Sequence, residues 1–221
     1  MKINKDNVEI ASYLVGMHAF NIDHNYENFK SNLINDLQYL FNLNFKVIRV
    51  GGLDILKVPE NKVFEIQLTP NSIVYQDIPD FKKIIENSKK ILDIWKEYSP
   101  KIKLSLVGLI TNFKMKLERP VYNRFILKEK VFRNFQIGEK LKGLDFHIYY
   151  VTNYKGYDYN IHFSMSENIE KEYILQGMVD FNEKTENKLT GITDESCDRI
   201  FSSAKKYFEE EILEFLNKNG N

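Results

Sequence analysis

From about Val8 to Phe20 the chain reads EIASYLVGMHAF after its first valine, with apolar residues on both faces in the middle of the run. A strand buried on both sides needs that pattern, so a central strand is predicted here. Asp23 or Asn25 can cap a helix reaching about Leu43, because Phe29, Leu33, Ile34, Leu37, Leu40 and Phe41 then share one stripe. Phe45–Val50 and Ile55–Val58 flank Gly51-Gly52, which predicts two strands and a turn or bulge. Phe64–Tyr75 predicts a second extended pair, broken at Pro70-Asn71. Asp77 or Asp80 is placed to cap the next helix, with Pro79 near its first turn. Phe81, Ile84, Ile85, Ser88, Ile91, Leu92 and Trp95 recur at helical spacing until Pro100 stops them. Leu104–Leu117 then predicts a long strand, with Leu104, Leu106, Gly108 and Ile110 on one of its faces.

Strand, helix, strands, helix, strand is the order of a split βαβ unit, so residues 1–118 are expected to form a ferredoxin-like βαββαβ region. Residues 119–221 are expected to add an antiparallel βββα half that packs with the first as one unit. A short helix is expected near Val121–Phe132. Leu144–Thr152 and Tyr157–Ser166 read as strands joined at Asn153-Tyr154-Lys155-Gly156, the second with Tyr159, Ile161, Phe163 and Met165 in phase. Tyr173–Asn182 reads as a third strand. A closing helix from Thr193 or Asp194 buries Cys197, Ile200, Phe201, Ala204, Phe208, Ile212 and Phe215. The fold class is therefore α+β.

Composition adds two constraints. Hydrophobic residues make up 43% of the 221 residues and aromatics 14%, enough for a core without cross-links. The single cysteine, no apolar leader in MKINKDNVEIASY and no run long enough to cross a bilayer predict a cytoplasmic protein with no membrane partner. Net charge is zero but unevenly spread: residues 81–135 hold 14 basic and 5 acidic groups, and residues 167–221 hold 7 and 13.

Candidate chemistry is sparse. The histidines are His18, His24, His147 and His162, with no HxxxH, HExxH or CxxC spacing, so no metal ligand set is predicted. His147 and His162 fall on adjacent hairpin strands, but the sequence supplies them no third ligand. Cys197 lies in phase with Ile200, Phe201 and Ala204, as a small buried hydrophobe does. There is no GxSxG, P-loop or GxGxxG, so no catalytic residue and no cofactor are assigned. The basic middle is the exception. Lys114, Lys116, Arg119, Arg124, Lys128, Lys130 and Arg133 are interleaved with Tyr122 and Phe125. Cations neutralise phosphates and rings stack on unpaired bases, so this segment is the candidate for RNA or single-stranded DNA. Opposed to it are the absent ribonucleoprotein signature and the overall neutrality.

Two stretches, IKLSLVGLITNFKMKL at 102–117 and VDFNE followed by SCDRIFSSAKKYFEEEI within 179–212, resemble a sporadically distributed, uncharacterised prokaryotic protein family of similar length. The resemblance implies the same order of elements and no activity. Where that family commonly has an arginine and an Asn-Arg pair, this chain has Val107-Gly108 and Asn112-Phe113, so no role for those arginines carries over. With no catalytic set and a basic middle facing an acidic end, the leading expectation is a non-enzymatic protein acting through association with itself or a protein partner. Nucleic-acid binding through residues 114–133 is the alternative.

Overall fold

The computed structural model describes residues 7–21, 25–116, 145–168 and 174–219. In chain order the elements are β1 (Val8–Ala19), α1 (Tyr26–Phe41), β2 (Lys46–Val50), β3 (Leu53–Val58), β4 (Asn61–Thr69), β5 (Ser72–Asp77), α2 (Phe81–Tyr98) and β6 (Leu104–Lys116). After them come β7 (Asp145–Tyr154), β8 (Tyr157–Asn168), β9 (Ile174–Lys184), α3 (Asp194–Tyr207), a π-helical turn (Phe208–Ile212) and α4 (Leu213–Asn219). The strands form one sheet in the order β2-β3-β4-β5-β1-β6-β9-β8-β7. The described registers, β1–β5, β2–β3, β3–β4, β4–β5 and β7–β8, are antiparallel. The chain is thus α+β, and its first strand is central, as its two apolar faces require.

Two of the tight hairpins, β2–β3 and β7–β8, turn through residues at positive φ. Gly51 and Gly52 sit at 56° and 86°, Lys155 and Gly156 at 54° and 85°. Positive φ at both central residues matches the right-handed twist of the flanking strands. Asp80 caps α2, its carboxylate accepting the Lys83 N–H at 3.0 Å. Asn25 stands at the N-cap of α1 without a side-chain hydrogen bond to it. Asp77, the other candidate cap, is drawn into the core instead: it accepts the Tyr75 hydroxyl at 2.7 Å and its neighbour's Ile78 N–H at 2.8 Å.

The described chain divides into two compact units. One comprises Ser12–Ile110 and Asn182–Ser202. In it α1 and α2 lie on one face of the strands, over Tyr13, Val15, Met17, Leu56, Phe64, Ile66, Leu68, Ile73 and Tyr75, all buried. The aromatic contacts fix which face this is: Tyr13 meets Phe81 edge-on at 5.7 Å, and Phe41 meets Phe64 at 5.0 Å and Tyr75 at 5.5 Å. On β6 Leu104, Val107, Gly108 and Leu109 are buried, while Leu106 and Ile110 of the expected series are half-buried. Two buried carboxylates interrupt this core, and both are fully engaged. Asp54 accepts from Tyr26 (3.2 Å) and from Arg49 Nε (2.9 Å), while Asp77 is approached by Lys83 at 3.5 Å.

The other unit comprises Met1–Ala11, Thr111–Phe181 and Ser203–Asn221. Tyr159, Ile161, Phe163 and Met165 of β8 are buried together, as their alternation predicts. The end of α3 and the π turn cover them, with Tyr207 5.4 Å from Phe181 and Phe208 5.3 Å from Phe113. The helical reading needs one correction. Beyond the π turn Leu216 is the fully buried residue, and Phe215, expected to be buried, is half-buried with its ring 5.9 Å from Phe163. The helix expected near Val121–Phe132 lies outside the described residues.

Phe113 on β6 also closes over Gly177 on β9. A Cβ at Gly177 would stand 2.1 Å from the Phe113 ring tip, well inside van der Waals contact. Gly177→Ala is therefore expected to destabilise the protein by about 1–3 kcal/mol, the range for an overpacked core. Adding Phe113→Leu to that variant should return part of the loss. Thermal or denaturant unfolding of the two variants checks this, and an unchanged midpoint in Gly177→Ala would refute the contact.

Candidate functional site on the open face of the hairpin

In the β7–β8 hairpin, Ile148 pairs with Phe163, Tyr150 with Ile161 and Thr152 with Tyr159, which places these residues on the helix-covered side. The alternate residues His147, Tyr149, Val151 and Asn153 of β7, and Asn160, His162 and Ser164 of β8, must then face the other way. Tyr149 is 73% exposed and Val151 67%. Large apolar side chains at that exposure cost hydration energy in the free protein, and here two of them sit two residues apart on one strand.

Tyr149 and His162 are directly opposed in register, and their rings stack at 4.0 Å between centroids and 13° between planes. His147 lies diagonally across the same pair, its ring 5.5 Å from that of His162 and tilted by 24°. His147 Nδ1 and His162 Nε2 come within 3.2 Å. Two neutral imidazoles at that distance share one N–H···N hydrogen bond, the donor set by the tautomer. Partial burial pushes the His162 pKa down, His147 pushes it further down, and Asp180 partly opposes both. A stacked phenol, two imidazoles and a nearby carboxylate therefore gather on this face.

The other polar clusters are structural. A cavity of about 170 Å³ lies against Met17, Ser88, Leu92, Asp194, Cys197 and Phe201. Ion pairs stand beside it, Lys96 to Asp194 at 2.7 Å and Lys89 to Asp198 at 2.5 Å. Burial pushes the Cys197 thiol up to about 12, with Asp194 adding to the rise, so the thiolate needed for nucleophilic work is disfavoured. The Asp54 and Asp77 clusters hold strands to helices. Among the described residues no three His, Cys, Asp or Glu side chains converge as a metal cage, and no described helix is long and apolar enough to cross a membrane.

Of the basic segment, Lys114 is on β6, half-exposed and bonded to Glu9 at 3.0 Å. Lys116 ends the same strand. Arg119, Tyr122, Arg124, Phe125, Lys128, Lys130 and Arg133 lie outside the described residues. His18 is half-buried on β1, and its backbone carbonyl accepts the Ser105 hydroxyl at 3.1 Å. Sequence reasoning noticed the two hairpin histidines and missed Tyr149, Val151 and Asp180. A signal was present in Asp145–Tyr154, whose odd and even residues are both partly aromatic. Parity alone does not say which set is buried.

The His162 imidazole should titrate below the ordinary histidine value of about 6.5. His147→Ala removes the neighbouring imidazole that pushes it down, so the His162 midpoint should rise; proton NMR of the ring hydrogens follows it. A midpoint unmoved by that substitution would show that the two rings are not coupled. No family model matches the chain and no curated protein matches its sequence, so what this face does must be argued from its own geometry.

Proposed function

We propose that the chain works by association and that a second copy of it adds a strand to the outer edge of β7. The observation that carries this is the character of that edge. β7 is the last strand in the sheet, ten residues long, and among the described residues it pairs only with β8. A strand edge presents a row of unpaired N–H and C=O groups, which most proteins blunt with lysine, proline or short length. β2, at the other end of the sheet, has five residues and carries Lys46 and Arg49. β7 has no lysine, arginine or proline, and it exposes Tyr149 and Val151. An antiparallel pairing of two such edges is self-complementary and closes as a two-fold dimer. The work is done in the cytoplasm on this reading, as the cysteine usage suggests.

The finer fold reading belongs here too. The elements β1-α1-β4-β5-α2-β6 are read as a ferredoxin-like unit, with the β2–β3 hairpin extending the sheet beyond β4, and β7-β8-β9-α3 as the βββα half. The local strand order β6-β1-β5-β4 supports the first assignment.

At micromolar concentration the chain should sediment at twice the 26.2 kDa of one copy. Tyr149→Lys with Val151→Lys should give a folded monomer, since charges on an edge oppose strand addition. A monomeric wild type, or a dimer indifferent to both substitutions, sinks the proposal. A second reading, single-stranded nucleic acid, is favoured by the exposed Tyr149 ring, because bases stack on aromatics displayed by open sheets. It requires fluorescence anisotropy to report binding to an RNA or DNA oligonucleotide that weakens steeply between about 50 and 200 mM salt. No binding at the lower salt removes it.

A further inference from the structure

The geometry points to a second use of the same hairpin: His147 and His162 together form a two-imidazole site for a divalent first-row transition ion, with Cu²⁺ preferred over Zn²⁺. The first argument is distance. Imidazole nitrogens bind such ions at about 2.0–2.1 Å, so two nitrogens on one ion, at angles between square and tetrahedral, stand about 2.9–3.4 Å apart. His147 Nδ1 and His162 Nε2 are 3.2 Å apart. The two nitrogens therefore already stand at the separation that one shared ion requires.

The second argument is preorganisation. His162 is gripped from across the ladder by Tyr149, 4.0 Å away and nearly parallel, which fixes the ring plane before any ion arrives. Both histidines stand on paired strands with a defined register, so little freedom is lost on binding. The third is charge: the Asp180 carboxylate acts on His162 and biases the local field toward cations. Imidazole nitrogen suits Cu²⁺, Ni²⁺ and Zn²⁺, and affinity rises to Cu²⁺ along the Irving–Williams order. With two protein donors, the remaining positions on the ion stay open to water or to a donor from another molecule.

The test is calorimetric titration of the full chain with CuCl₂ in a weakly coordinating buffer, paired with electron paramagnetic resonance of the copper-loaded protein. Expected are saturable uptake of one ion per chain and nitrogen hyperfine structure from two imidazoles. His147→Ala and His162→Ala should each weaken uptake at least ten-fold. A free amino terminus also takes copper. The His147→Ala/His162→Ala double variant therefore sets the background, and a thermal melt confirms that it is folded. Uptake in the wild type no stronger than in that folded double variant would overturn the proposal. So would a resonance spectrum carrying a single imidazole nitrogen.

Discussion

Phe113 lies across Gly177 and against Phe208, and through these contacts one aromatic ring sets the parity of two strands and the position of a helix. Only a residue without a side chain can sit beneath the ring at that separation. A slip of one residue on β9 would bring Gln176 or Met178 under it and turn Leu175, Val179 and Phe181 out of the core. The π turn belongs to the same constraint. Phe208, within that turn, lies on Phe113, and Ile212 at its end and Leu216 beyond it are buried.

The covered side of the strands is not purely apolar, and its polar groups explain why the helices sit where they do. Asp54 ties Tyr26 at the start of α1 to β3, while Asp77 and Asn87 hold the Tyr75 hydroxyl between β5 and α2. Burial and the adjacent carboxylate push both tyrosines above the ordinary phenol value, so they stay protonated donors. Buried hydrogen-bonded carboxylates add little net stability against an apolar alternative, but losing one partner leaves an uncompensated group. They specify position more than they stabilise. The same logic removes Cys197 from the list of chemical groups, because its surroundings favour the neutral thiol.

Chemistry available to a second molecule gathers instead on the uncovered side of the β7–β8 hairpin. Two structural facts converge there: a strand that ends the sheet among the described residues, and alternate side chains that the described helices do not cover. The proposed strand addition would use the first and the proposed ion binding the second, and both rest on the register that sets Tyr149 opposite His162. Part of the uneven charge is met within the fold, where Lys89 and Lys96 of the basic middle pair with Asp198 and Asp194 of the acidic end.

Much of this was legible in the chain. Two-faced apolarity marked β1 as central, the 3.6-residue stripe marked α2, and strict alternation marked the buried set of β8, because burial on one side imposes a period that composition alone cannot hide. The glycines at 51, 52 and 156 announced the hairpin turns for the same local reason, the cost of positive φ. What the sequence could not decide was every question of which face, which partner and which phase. Asp77 reads equally well as a helix cap or as a buried acceptor. β7 carries aromatic residues in both parities, and only the helix packing on Tyr150 and Tyr154 leaves Tyr149 outside. His147 and His162 are fifteen residues apart in the chain, and their 3.2 Å approach exists only in the paired register. Local patterns follow from local sterics, whereas a site joins residues that nothing but the tertiary fold brings together.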